Sequence, residues 1–199
     1  MRIGAGLFRP GTDTLSLADF ARPRQNDHLV DLGCGCGAFE LLLGKSFPQL
    51  HMTGIEIDPA AAKYARENIK DMAERITILQ ADLRTAPLPD GYADAVISNP
   101  PYFSHERGKG SSIARTDDLC SCQELVQAAA RLLRPGGRFW LLWRPERLVE
   151  LLTALHSAGL EPKRMQAARG QQVRFVMIEA LRGGHPGLVW EPDLDLQRR

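Results

Sequence analysis

Cysteine is scarce in this sequence, with 4 among 199 residues, and all fall in two tight pairs, Cys34/Cys36 and Cys120/Cys122. Paired ligands of structural zinc sites are usually separated by two to four residues, so the one-residue spacing argues against a metal site. Small side chains in a reduced compartment are the better reading. An excess of charge is also missing. Lys+Arg 25 against Asp+Glu 24 leaves +1, so the whole molecule is not a polycation that coats nucleic acid by charge alone. No apolar run approaches the ~18 residues of a membrane span, and residues 1–12 carry no apolar signal-peptide core. The expected location is the cytoplasm, with no membrane partner. No internal repeat and no interdomain linker interrupt the chain. What remains is ordinary globular usage, 44% hydrophobic and 25% charged. A chain of this size buries about 70% of its unfolded surface, enough for one core without a disulfide or metal staple.

The near-zero net charge conceals an asymmetry. Residues 31–100 sum to −4, whereas residues 131–174 sum to +6. A neutral chain with one acidic and one basic half is a candidate for binding a polyanion on one face, against the plainer reading of solvated helix faces.

Strand and helix patterns alternate. Residues 28–32 form a short apolar run ending in glycines, and residues 38–47 follow with helical spacing. A second strand covers 51–57, and Asp58 as N-cap with Pro59 at the first helical position opens a helix through Asp71. Residues 75–80 and 93–98 are two further strands, divided by a Pro/Gly-rich turn over 86–91. Ser121-Cys-Gln-Glu124 is a capping box for a helix that runs to Arg134. A buried strand at 139–143 and a helix near 146–157 come next. The last two strand-like runs, near 162–167 and 172–181, have no helix between them and should form a hairpin. Alternating βα units followed by a hairpin predict an α/β fold with a mainly parallel sheet and an antiparallel end.

Asp31-Leu-Gly33-Cys-Gly35-Cys-Gly37 lies between a strand and a helix, where a doubly wound sheet binds its cofactor. It is not the dinucleotide fingerprint, whose third glycine comes three residues after the second, whereas here it comes two after. Glu56 ends the next strand, 23 residues after Gly33, close to the ~20-residue spacing of a ribose-binding carboxylate. Its two oxygens can hold both hydroxyls of one ribose. Asp58 is the rival but is already committed as a helix cap. Asp82, just after the third strand, could accept from an adenine amino group.

Asn99-Pro100-Pro101-Tyr102 follows the fourth strand, at the same edge of the sheet. The prolines fix φ, push the preceding residues toward extended geometry and carry no N–H, so the turn displays acceptors and almost no donors. Such a site suits an NH2 group donating two hydrogen bonds, one to the Asn99 amide and one to the Pro100 carbonyl. A planar exocyclic amine is a poor nucleophile, and two fixed acceptors favour the transition state in which its nitrogen becomes tetrahedral and positive. Tyr102, with Phe103, offers a stacking face for a planar substrate.

The glycine loop, Ile55-Glu-Ile-Asp58, Ala81-Asp-Leu83 and Asn99-Pro-Pro-Tyr102 together resemble class I S-adenosylmethionine-dependent methyltransferases acting on an amino or amide nitrogen. The resemblance implies a single Rossmann-like domain with a mostly parallel seven-stranded sheet, a C-terminal antiparallel hairpin and helices on both faces. It also implies S-adenosyl-L-methionine as cofactor, held by Asp31, Gly33, Gly35, Gly37, Glu56, Ile57, Asp82, Leu83 and Asn99, with Asn99, Pro100, Pro101 and Tyr102 as the catalytic tetrapeptide. Leu132-Leu-Arg-Pro-Gly-Gly137 resembles the family's entry to its fifth strand. More narrowly, Gly11-Thr-Asp13, Phe103, Arg115-Thr-Asp-Asp118 and a basic terminal hairpin resemble bacterial tRNA adenine-N6 methyltransferases, in which Thr12 and Asp13 would line the cofactor site. Residues 1–27 are then an N-terminal helix and lid, 28–182 the catalytic core and 183–199 a C-terminal tail. RNA, most simply a tRNA, is the implied partner, gripped by Arg107, Lys109 and Arg115 in a glycine- and serine-rich loop and by Lys163 and Arg164 near the hairpin. Three alternatives stay open: a protein glutamine-N5 methyltransferase, a guanine-N2 RNA methyltransferase, and a cofactor-binding regulatory module. The glutamine enzymes carry a helical N-terminal domain, for which the roughly 28 residues before the first strand leave little room. A pure binding module has no need of an acceptor pair for NH2.

Overall fold

A computed structural model describes residues 2–3, 6–7, 10–100 and 120–197. Two short strands, β1 (Arg2–Ile3) and β2 (Gly6–Leu7), pair antiparallel ahead of helix α1 (Thr12–Phe20). The core then alternates β3 (His28–Leu32), α2 (Ala38–Ser46), β4 (His51–Glu56), α3 (Pro59–Asn68), β5 (Ile76–Gln80) and β6 (Ala93–Ser98). After the undescribed stretch come α4 (Cys122–Leu132), β7 (Leu133–Trp143), α5 (Leu148–Ser157), β8 (Leu160–Arg169) and β9 (Val173–Arg182).

Local chemistry places these boundaries. Asp58 Oδ1 accepts from the Ala60 N–H at 2.8 Å with Pro59 in the first turn, which starts α3 as its sequence predicts. That helix stops at Asn68 and tightens into a 3-10 turn over Lys70–Met72, short of the expected end at Asp71 as one regular helix. Ser121 and Glu124 form both halves of the capping box on α4.

The long strands run in the order β8-β9-β7-β6-β3-β4-β5. β3, β4, β5, β6 and β7 are parallel neighbours, whereas β9 is antiparallel to both β7 and β8. The terminal hairpin is therefore inserted, its second strand lying inside its first. Two further strands, β10 (Val189–Trp190) and β11 (Leu194–Asp195), both pair parallel with β8, so the segment expected as a plain tail extends the sheet.

Both faces of the sheet are covered. Alternate residues of β7 point to opposite sides: Phe139, Leu141 and Trp143 join the core beneath α4 and α5, while Trp140 and Leu142 join the core beneath α1, α2 and α3. Near-continuous apolar strands are what a doubly covered parallel sheet requires.

Candidate active site

β3 and β6 lie side by side, but the chain leaves β3 toward β4 and leaves β6 toward β7, on opposite sides. At such a reversal of strand order a crevice opens beyond the carboxyl ends of the strands. The glycine loop follows β3 and Asn99 follows β6, so topology alone sets them on the two walls of this crevice. Ser98, fully buried, ties the walls together by donating its hydroxyl to the Leu32 carbonyl at 2.7 Å.

Backbone bonds hold the glycine loop. The N–H groups of Gly33 and Cys34 both donate to the Ile55 carbonyl, at 2.9 and 3.0 Å, and Asn68 Nδ2 donates to the Cys36 carbonyl at 2.9 Å. Gly35 and Gly37 have φ of 55° and 82°, the left-handed region where a side chain is strained. A Cβ added at Gly33 or Gly35 would meet nothing within 4 Å, so the loop faces open space, whereas at Gly37 it would press on the Ala65 backbone of α3 at 3.4 Å.

Glu56 stands at the rim of that space. Its Oε2 accepts from the Gly35 N–H and its Oε1 from the Asp58 N–H, both at 2.8 Å. Each oxygen keeps a second lone pair for an incoming hydroxyl. Ile57, next in sequence, is 45% exposed although large and apolar. An open glycine loop, a fixed carboxylate with spare acceptor capacity and an exposed aliphatic side chain fit a nucleoside-bearing cofactor.

Asp31 and Glu40 lie below the loop, 1% and 0% exposed. The two carboxyls are electrostatic neighbours, and none of their four oxygens has a hydrogen-bond partner among the described residues. Burial first, and the neighbouring acids second, push Asp31 well above the usual carboxylate range; burial lifts Glu40 to about 7. Both shifts favour the protonated, neutral form of a buried acid. Asp31 is thus a buried acid at the end of β3, and Glu40 is a neighbour that sequence reasoning missed.

Asp82 is held by Arg84, whose backbone N–H donates at 2.9 Å and whose guanidinium pairs with it at 2.5 Å while also reaching Glu124 at 3.1 Å. Those bonds keep Asp82 below its ordinary range. Arg84 therefore competes with the adenine amino group assigned to Asp82. Leu83 packs against the core on the α4 side.

Across the crevice, Asn99 Nδ2 donates to Thr14 Oγ1 at 3.1 Å. Its Oδ1 is buried with no partner among the described residues. A buried carbonyl oxygen without a donor is costly, and here it fixes the face of the amide that an incoming N–H would meet. Thr14 was not singled out by the sequence, because nothing local signals a contact between residues 85 positions apart. Pro100 is buried beside Asn99. Thr12 and Asp13, expected to line the cofactor site, line a cavity of about 250 Å3 with Gly11, Arg144, Arg174 and Phe175.

Pro101, Tyr102, Arg107, Lys109 and Arg115 fall outside the described residues. Arg164 is corrected by the structure: it is 8% exposed, pairs with Glu179 at 2.9 Å and Glu191 at 3.1 Å, donates to the Phe20 carbonyl at 2.6 Å and lies over the Phe20 ring at 3.9 Å. Burial and two carboxylate partners turn its guanidinium inward, away from a phosphate. Lys163 is exposed enough to reach solvent but donates to the His185 carbonyl at 3.0 Å. Much of the basic segment is likewise committed internally, through Arg131 to Asp90, Arg134 to Asp94, Arg147 to Glu150 and Arg169 to Asp193. Charge counted along the chain overstated the charge available to a ligand.

Comparison with known proteins gives three kinds of likeness. The family model described as methyltransferase small domain matches residues 9–157. The tRNA1(Val) (adenine(37)-N6)-methyltransferase of Tolumonas auensis is 33% identical over 86% of this chain and 75% of its own length. The enzyme of the same name from Porphyromonas gingivalis is 34% identical over 72% of this chain and 62% of its own length, so the chain spans less than two thirds of that relative. Among solved structures, a predicted O-methyltransferase of Agrobacterium tumefaciens superposes with a TM-score of 0.76 at 22% identity, covering 93% of this chain and 88% of that one. Geranyl diphosphate C-methyltransferase of Streptomyces coelicolor, solved with S-adenosyl-L-homocysteine, gives 0.66 at 15% identity over 84% and 79%. At those identities the structural likeness establishes the fold.

Proposed function

Because the chain belongs to the methyltransferase small domain family, we propose that it methylates N6 of an adenine in tRNA, using S-adenosylmethionine. The observation that carries the reading is Asn99 Oδ1, a buried acceptor with no donor, at the carboxyl end of β6 and across from the glycine loop. The relatives named as tRNA adenine-N6 enzymes support the choice of base and of nucleic acid. The cytoplasm, where tRNA is found, is the corresponding location.

The glycine loop, Glu56 and Ile57 would hold the cofactor, Glu56 through the lone pairs its backbone bonds leave open. When bound, that cofactor supplies an electrophilic methyl group. Asn99 binds the adenine amine through Oδ1, and Thr14 keeps the amide from turning its NH2 toward the substrate. As the amine nitrogen gains a fourth substituent and positive charge, its N–H groups become stronger donors, so a prealigned acceptor favours the transition state over the planar ground state. The Pro100 carbonyl serves as the second acceptor, and Tyr102 as the stacking wall.

Incubation of the protein with methyl-labelled S-adenosylmethionine, bulk tRNA and cell protein tests this directly. Label should appear in N6-methyladenosine, and Asn99→Ala should lower kcat by roughly 10²–10³ while cofactor affinity stays within a few fold. Label confined to protein glutamine, or to guanine, would refute the adenine assignment.

A further inference from the structure

Asp31 and Glu40 bracket the glycine loop, two positions before Gly33 and three after Gly37. Asp31 is the penultimate residue of β3, and Glu40 lies in the first turn of α2. The sheet makes room for the Glu40 carboxyl at Gly54 of β4. An added Cβ there would collide with Glu40 Oε1 and stand 2.8 Å from both Cys34 Sγ and Ile78 Cδ1. The Glu40 carboxyl and the Cys34 thiol of the loop therefore converge on one point of β4. The ionisable groups gathered here are Asp31 from β3, Glu40 from α2, Glu56 from β4, and the Cys34 and Cys36 thiols of the loop. Each of them is an anion when ionised. β5 contributes the apolar Ile78, and α3 the apolar Ala62 and Ala65. Glu56 accepts a backbone N–H on each oxygen, whereas Asp31 and Glu40 have no hydrogen-bond partner among the described residues. Burial lifts Glu40 to about 7, so a nearby change of one unit charge is enough to move its proton.

We infer that Glu40, together with Asp31, is a specificity-determining acid that holds a proton in the free protein and releases it to solvent as the cationic cofactor is taken up. The inference rests on the reading that the glycine loop holds S-adenosylmethionine, and it does not depend on the adenine substrate. S-adenosylmethionine carries a sulfonium and an ammonium against one carboxylate, leaving one net positive charge. S-adenosylhomocysteine, the spent form, has lost the sulfonium charge and is neutral overall. An ionised Glu40 therefore attracts the first more than the second. The O–H bond of the acid breaks, its electron pair stays on the carboxylate oxygen, and the proton passes to water or buffer. Buried charges are weakly screened, so Glu40 acts through the local potential without touching the reacting atoms. Below about pH 7 the free protein must give up this proton to bind the cation. Affinity therefore rises with pH and levels off above 7.

The test needs no RNA. Wild type and Glu40→Gln are titrated calorimetrically with S-adenosylmethionine and with S-adenosylhomocysteine, in buffers of different ionisation enthalpy that count the protons released. The wild type should release about half a proton per S-adenosylmethionine near pH 6.5, and its affinity should rise about four- to eightfold between pH 5.5 and 7. S-adenosylhomocysteine should release less and show a flatter rise. Glu40→Gln keeps the size of the side chain without its titration, so proton release and pH slope should both collapse. Its preference for S-adenosylmethionine over S-adenosylhomocysteine at pH 7 should fall several-fold. The cofactor's own amino group titrates with both proteins, so the difference between them isolates Glu40. Absence of proton release by the wild type overturns the inference. Equal release with the two ligands overturns it too, and this comparison stands even where the variant does not fold. Undiminished release by a folded Glu40→Gln would move the proton to another group and overturn it as well. A wild type that binds no S-adenosylmethionine at any pH overturns the cofactor reading along with it.

Discussion

Beneath the glycine loop, Asp31 and Glu40 face each other with no basic side chain between them; at the end of α1, Arg164 sits between Glu179 and Glu191 and against the Phe20 carbonyl. Both clusters are buried, and both contain charges that the sequence pattern assigns to ligands. The acid pair has no hydrogen-bond partners among the described residues, and burial raises both acids above the usual carboxylate range. The arginine cluster balances its charges and bridges three distant parts of the chain, α1, β9 and the segment after β10. A buried charge with its partners in place is architecture, because desolvation has been offset by geometry. A buried polar group left short of partners marks the place where something else is meant to bind or titrate.

The largest expected effect lies in the satisfied cluster. Arg164→Met leaves Glu179 and Glu191 without their shared cation and should cost about 3–5 kcal/mol of unfolding free energy in urea, with the salt dependence of tRNA binding unaltered. A flattened salt slope in that variant would return Arg164 to the RNA surface and erase the contrast. On the crevice side, Glu56→Ala should cost about 2–4 kcal/mol of S-adenosylmethionine affinity by calorimetric titration, more than it costs in stability. Equal affinity in a folded variant would remove Glu56 from the site.

The acid pair makes a pH-dependent difference. Its folded form retains a proton that the unfolded chain releases near 4.5, the ordinary value for Glu40, while the folded value is about 7. The stability it contributes is therefore complete below about pH 4.5 and is lost as pH rises through 7, on the order of 2–3 kcal/mol. Glu40→Gln should flatten that slope in denaturation curves taken between pH 5 and 8. An unchanged slope would mean that burial does not hold Glu40 protonated. The smallest effect belongs to Thr14→Val, which frees the Asn99 amide to rotate: kcat should fall about tenfold, near 1.4 kcal/mol, with cofactor and tRNA affinities preserved. A change in tRNA affinity instead would show that Thr14 does more than hold the Asn99 amide.

What the sequence made legible follows from the range of the forces involved. The order of strands and helices, the Asp58 cap and the Ser121/Glu124 capping box are decided within a few residues, and each could be read from spacing. Glu56 and Asn99 were readable because both follow strands, and strand ends in a doubly wound sheet converge on one edge. Arg164 was misjudged because its partners Glu179 and Glu191 come from β9 and from beyond β10, and no pattern in one stretch announces such a meeting. Thr14, Glu40 and the Arg144/Arg174 cavity were missed for the same reason. The short strands β10 and β11 escaped because two-residue pairing is determined by the neighbouring strand more than by the paired residues themselves.

The inserted position of β9 governs how this chain can be assembled during synthesis. β8 emerges from the ribosome before the strand that must separate it from β7, and it has no place in the sheet until residues 173–182 follow. Until then β7 presents an open edge along Phe139, Trp140, Leu141, Leu142 and Trp143, which later pair with Ala180 back to Val176. A nascent chain paused in this interval exposes a sticky hydrophobic ribbon of the kind that chaperones shield and that seeds aggregation. Closure then depends on one late event, the pairing of β9 with β7 and β8 together.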